Sequence, residues 1–317
     1  MITLNMKKFF TLQSFRNILD CRLNVTKTLA MIAFLLYLIP AFPHSHSLQL
    51  VQKEGKNILE RIQVPPKFQR IKTEPKGFAE YLRNYPLKES GSPVLLFNGN
   101  EKPNQEAHAA IFDMPIESNL QENSQSIVRL YAKYLYSSGQ EGKISFHLTN
   151  GEICKWADWL SDCIRKRNLR TEVARDLKKW TKYEKSVSKN EKDQFFRAYL
   201  KNVFAHTSPL SMMEYESEPI GQNQVQIGDV LFDLSKPTFI CMVVDICRNT
   251  ETGEKAYLLA QSNSSATDFY VIKNPKRVND PWYHEEDFRM PAETPEYIFP
   301  KDSWRRLQYG KYYSKNS

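Results

Sequence analysis

The stretch Phe239-Ile240-Cys241-Met242-Val243-Val244-Asp245-Ile246-Cys247 leads through a turn at Thr250-Glu251-Thr252-Gly253 into Ala256-Tyr257-Leu258-Leu259-Ala260-Gln261. Two apolar runs rich in β-branched and aromatic residues, joined by a glycine-containing turn, read as paired strands. Runs of the same kind at 225–234 and 269–272 extend the reading to a meandering C-terminal sheet. The preceding half has a different period. Over 118–136, Leu120, Ile127, Leu130, Tyr131, Tyr134 and Leu135 fall near helical spacing, with Ser118 or Asn119 as cap and Gly139 as stop. A second amphipathic helix is expected over about 193–204, and a short one over 78–82 that ends before Pro86. Strands are expected at 94–97 and 109–114, and at 144–149, where Ile144, Phe146 and Leu148 alternate with polar residues. Helices first and a sheet afterwards argue for the α+β class rather than a doubly wound fold.

Outward from this block, the chain divides at residue 47. Residues 29–39 are an unbroken apolar run, preceded by Lys7, Lys8, Arg16, Arg22 and Lys27 against Asp20 alone, and followed by Ser45 and Ser47. That order is the order of a secretory signal peptide, and the run is shorter than the roughly 20 residues that span a bilayer. Residues 1–47 are therefore expected to be a signal peptide, with an uncleaved membrane anchor as the alternative, and residues 48–317 a single globular domain. The expected location is the periplasm or cell envelope, with membrane contact only through the N-terminal segment. Half of the formal charge of +8 sits in the leader, which leaves the domain too mildly basic to argue for nucleic acid.

Export would permit disulfides. Cys241 and Cys247 lie six residues apart on one strand, beyond disulfide reach, whereas Cys154 and Cys163 could pair if the chain between them folds back. No Cys-x-x-Cys spacing occurs and the six histidines are scattered, so neither a metal nor another cofactor is expected. Residues 164–192 carry 11 Lys and Arg against four Asp and Glu. They read as a solvated helical face or, alternatively, as a polyanion-binding module.

Seven stretches stand in series: Tyr81-Leu82-Arg83-Asn84-Tyr85-Pro86-Leu87-Lys88; Leu120-Gln121 with Arg129-Leu130 and Tyr134-Leu135-Tyr136; Phe196-Arg197-Ala198-Tyr199-Leu200; Ile227-Gly228-Asp229-Val230; Leu258-Leu259-Ala260-Gln261-Ser262; Pro281-Trp282-Tyr283; and Thr294-Pro295-Glu296. Together they resemble a bacterial family known as domain of unknown function 4846, over about residues 58–305. The resemblance implies a cysteine at the start of the long helix and a histidine at the start of a facing strand, a layout similar to papain-like and cell-wall amidase folds. It also implies a C-terminal antiparallel sheet that is partly barrel-like. A thiol at a helix N-terminus beside an imidazole has a lowered pKa and is nucleophilic. Alignment places Asn123 at the cysteine position, Gln125 at a neighbouring aspartate position and Phe239 at the histidine position. None of the three can supply the thiolate or the base.

The resemblance thus implies a hydrolase-like scaffold acting in binding or structure, with a pocket expected among Gln121, Asn123, Gln125, Asp229, Phe239, Gln261 and Trp282. Its expected ligand is a cell-wall fragment, glycan or peptide. The alternative is an active cysteine or serine hydrolase that uses Cys241 or Ser208 with His206. Each residue also has a plainer reading. The amides satisfy backbone donors at a helix start, Asp229 closes a turn, Trp282 and Trp304 close a core, Cys241 is a buried thiol, and His206 favours a helix C-terminus. His147 and His284 read as surface residues.

Overall fold

The computed structural model describes residues 49–170, 188–233 and 239–309. The leader and most of the basic stretch 164–192 lie outside the described residues. Along the chain come α1 (Ile58–Arg61), β1 (Phe68–Arg70), α2 (Phe78–Asn84), β2 (His108–Ile111), α3 (Asn123–Ser137), β3 (Ser145–His147), β4 (Ile153–Lys155), α4 (Trp156–Arg170), α5 (Lys189–His206) and α6 (Pro209–Tyr215). After these the chain is mainly strand: β5 (Ser217–Pro219), β6 (Val230–Phe232), β7 (Ile240–Asn249), β8 (Lys255–Gln261), β9 (Tyr270–Ile272), β10 (Tyr283–His284), β11 (Ala292–Glu293), β12 (Ile298–Phe299) and β13 (Trp304–Leu307). The α+β class is therefore correct.

The main sheet runs β2-β9-β8-β7-β6-β13-β5, with β1 added to β7 and β10 to β8, and every pairing is antiparallel. It is open, not a barrel. Strands β7 and β8 form its spine, with Met242 opposite Ala260 and a bulge between Val243 and Asp245. Both faces of β7 are covered. Ile240, Met242 and Val244 pack with Ile127, Leu130 and Leu135 of α3, whereas Cys241, Val243 and Ile246 pack with Tyr257, Tyr283 and Trp304.

Charge also enters the core. Asp245, fully buried, accepts from Arg70 Nε at 2.6 Å, Arg83 Nε at 2.7 Å and its neighbouring amide, Ile246 N, at 2.8 Å. Arg83 reaches on to the Ile71 carbonyl at 2.9 Å, so one carboxylate ties α2 and β1 to the spine of the sheet. Buried charges persist only when paired and hydrogen-bonded in this way.

Several local expectations change. The long helix begins at Asn123, with Glu122 as cap, because Ser118 caps the preceding turn through Leu120 N at 3.1 Å. Leu120 consequently lies before the helix and is exposed, while Ile127 and Leu130 are fully buried. Residues 94–97 form bridges from Leu95 and Leu96 rather than a strand. His147 is not a surface residue: its Nδ1 lies 2.9 Å from Glu216 and its ring stacks on Tyr215. His284 is largely covered too, edge-on to Phe68 and 3.4 Å from Glu254. Cys154 and Cys163 are separate free thiols, on β4 and α4. At the Gly228-Asp229 turn the backbone has φ +97°, and a Cβ on Gly228 would lie 3.3 Å from the Phe78 ring, which is why glycine stands there.

Candidate binding groove

The expected pocket does not assemble as one site. Asn123 is buried at the first turn of α3, on the helix side of the sheet. Gln125 donates to the Thr207 carbonyl at 3.0 Å, and Gln121 accepts from Arg129 at 2.5 Å. Phe239 packs with the opposite face, its ring stacked on Tyr297 at 4.1 Å. The sheet therefore separates positions 123 and 239, and the expectation that they face each other is corrected. Neighbouring residues on a strand point to opposite faces, so one step of register decides the side. Ser262 shows the same alternation: its hydroxyl meets Ser126 of α3 at 2.8 Å, while its neighbour Gln261 meets Cys241 and Tyr270 of the far face.

The remaining candidates hold structure together. Asp229 accepts from Gln226 N at 2.8 Å and from Arg306 at 2.9 Å, and burial raises its pKa. Trp282 is fully buried and donates to the Gln63 carbonyl at 2.8 Å. Cys241 is fully buried, its thiol pushed well up by burial, with Sγ 3.2 Å from Gln261 Oε1. Ser208 caps α6 through Ser211 N at 3.1 Å. His206 is exposed at the end of α5, with Nδ1 2.9 Å from the Asn202 carbonyl. The described residues thus give each proposed nucleophile or base another partner. They contain no cluster of three or more candidate metal ligands.

A polar cluster fills the far face near the end of β8. The Glu296 carboxylate accepts from Gln261 at 2.8 Å, Asn263 at 3.0 Å, Tyr270 and Lys102. Burial alone would raise its pKa, but the donors Lys102, Tyr270 and Asn263 outweigh burial and hold it below the ordinary 4.5. A carboxylate depressed in the fold contributes stability that is complete above its unfolded value and is lost as pH falls through the folded one. Glu296→Gln keeps an acceptor oxygen and is expected to cost about 1–3 kcal/mol at pH 7. It should also flatten the acid limb of stability below about pH 4.5, the ordinary value of this group. Urea unfolding from pH 3 to 7 measures both.

A wide concave feature lies elsewhere. It has a volume of about 700 Å³ and lies over α3 between α2 and α5. Its walls are Tyr81 and Tyr85 of the α2 segment, Tyr134 and Tyr136 of α3, and Phe196 of α5. These rings pack in two groups. Tyr81 meets Tyr85 and Tyr134, each at 5.5 Å, and Tyr136 stacks on Phe196 at 4.2 Å. Polar anchors hold the walls: Tyr134 donates to the Lys76 carbonyl at 3.1 Å, and Tyr136 to Asp193 at 2.7 Å. Behind the floor, Arg129 is fully buried and binds Glu117 at 2.7 Å. Lys133 and Arg197 complete the lining.

Sequence reasoning named none of these as site residues, because tyrosines at helical spacing read as core. A signal was present nonetheless. Three of the seven stretches that carried the resemblance, those holding Tyr81, Tyr134 and Phe196, converge on this groove.

Fold and groove together define an α+β domain with an open antiparallel sheet and a helix-walled aromatic cleft. Residues 58–306 match the model of the family described as a domain of unknown function (4846), and the chain belongs to that family. No curated protein and no solved structure matches it.

Proposed function

We propose that this chain is a binding domain of the cell envelope that seats a glycan or peptide fragment in the groove over α3. The observation that carries this reading is the groove itself: five aromatic side chains, in one contacting group of three and one stacked pair, around about 700 Å³, a size suited to a small organic ligand. Tyrosine offers a flat apolar face and a polar edge, and ordering it costs little side-chain entropy on binding.

Binding rather than catalysis is supported by the partners of the reactive groups. Cys241 is sealed in the sheet, Ser208 caps a helix and His206 is exposed at the end of α5. In this reading the scaffold is hydrolase-like, and Asn123 stands where a nucleophile would be. Action outside the cytoplasm rests on the apolar run 29–39 with its basic flank. N-terminal sequencing of the protein from an envelope fraction tests it: a start near residue 48 supports export, and recovery of the full chain in the cytosol contradicts it.

The groove is tested by calorimetric titration with soluble cell-wall glycan-peptide fragments. The wild type should bind, and Tyr134→Ala should weaken binding at least tenfold at a temperature where circular dichroism shows the variant folded, its melting temperature being lowered by the lost ring contacts and the lost hydrogen bond to Lys76. Equal affinities would rule the groove out. Thiol-directed reagents should leave binding intact, and Cys241 and Cys247, both buried with raised thiol pKa values, should be labelled only after unfolding. Mass spectrometry of the labelled native protein checks this.

A further inference from the structure

The charges around the groove are unevenly committed. Three carboxylates line it, and the protein already engages each of them. Glu117 is bound by Arg129 at 2.7 Å, Asp193 accepts from Tyr136 at 2.7 Å, and Glu80 accepts from the Lys76 backbone amide. Three cations, Lys76, Lys133 and Arg197, line it as well, and among the described residues the side chains of Lys133 and Arg197, which face each other across α3 and α5, have neither an ion pair nor a hydrogen-bond partner. Lys133 sits half-buried on the groove side of α3, one helical turn beyond the buried Arg129, and Arg197 faces it from α5. Their mutual field and that of Arg129 are felt at Lys133, where burial, then Arg129 and Arg197, lower the ammonium pKa against the opposing pull of Glu117. Two like charges near each other at the mouth of an aromatic cleft, neither closed into an ion pair, can both turn to an incoming anion.

The walls narrow the class of ligand further. They are helices and a helix-flanking segment, with no sheet edge to which an extended peptide could add as a strand. Flat tyrosine faces with hydroxyl edges suit a pyranose, which presents C–H groups on one face and hydroxyls around its rim. We propose that the ligand of this groove is an acidic saccharide, its sugar ring stacked on Tyr81 and Tyr134 and its carboxylate held between Lys133 and Arg197. Charge-assisted hydrogen bonds from both cations to one carboxylate are the strong kind.

This inference rests on the groove being the binding site, and the test separates the two claims. The probes are a uronic-acid-containing oligosaccharide and the same oligosaccharide with its carboxylates reduced to alcohols, titrated calorimetrically into the full chain. The wild type should bind the acidic form at least tenfold more tightly, and the preference should shrink as salt rises from 50 to 500 mM, values chosen to span strong and weak screening. The Lys133→Gln, Arg197→Gln double variant should bind both forms within about twofold of each other. Equal affinity of the wild type for both forms would overturn the acidic preference while leaving the groove as a saccharide site. Tighter binding of an acidic proline-rich peptide than of either saccharide would overturn the ligand class. Binding of neither form by the wild type, or binding of both that Tyr134→Ala leaves unchanged, would overturn both claims. The salt series uses the wild type alone, so the preference is decided even where the double variant folds poorly.

Discussion

Asp245→Ala is expected to destabilise the fold by about 3–5 kcal/mol, the cost of leaving buried charges without their partner. The aspartate is fully buried and holds Arg70 at 2.6 Å and Arg83 at 2.7 Å. Its removal strands one fully covered and one mostly covered guanidinium beside the spine of the sheet, because Arg83 is only 6% exposed and cannot swing to water without dismantling α2. The ion cluster need not be a net source of stability, since well-packed apolar replacements of buried ion pairs are often neutral. The expected pattern is therefore asymmetric. Asp245→Ala alone should be costly, and adding Arg83→Met should recover part of the loss by removing one stranded charge. Urea unfolding of the two single variants and the double variant measures the coupling. A double variant whose loss equals the sum of the singles would show that the two residues act independently.

The second large effect lies in α3. Leu130 is fully buried among Ile127, Leu135 and the sheet residues Met242 and Val244, so Leu130→Ala should cost about 2–5 kcal/mol through lost burial and the cavity left behind. Leu120→Ala, in the exposed turn before the helix, should cost less than about 0.5 kcal/mol. The contrast tests the helix start, because a helix beginning at Ser118 would have brought Leu120 onto the packed side. Thermal melts of the two variants would contradict the described boundary if their losses were alike.

The class of fold was legible in the sequence because the two halves have different hydrophobic periods, and period is imposed by which face must be buried. Boundaries were harder. Ser118 is a good cap and does cap, but it closes a turn, and the helix waits for Glu122. The face on which Phe239 lies was not legible for a related reason. Strand β7 is buried on both sides from Ile240 to Cys247, so its sequence is an apolar run broken only by Asp245, without the polar alternation that would announce a side. Alignment to the cysteine-and-histidine layout then depended on a single step of register, and the ring of Phe239 went to Tyr297 instead of towards α3. The groove was hidden by distance along the chain. Tyr81, Tyr134 and Phe196 come from three segments, each of which alone looks like a helix contributing an aromatic to a core. Only the packing of α2 and α5 on either side of α3 turns their exposed edges into one wall.

Ligand seated over α3, between α2 and α5, is the central claim, and its location is best read directly. Backbone and aromatic side-chain NMR resonances of the protein, followed through titration with cell-wall glycan-peptide fragments, report where the ligand sits. The account predicts that the largest shifts fall on Tyr81, Tyr85, Tyr134, Tyr136 and Phe196, with Lys133 and Arg197 at their edge. Shifts centred instead on Asn123, Gln261 and Phe239, with the groove tyrosines unmoved, would contradict it.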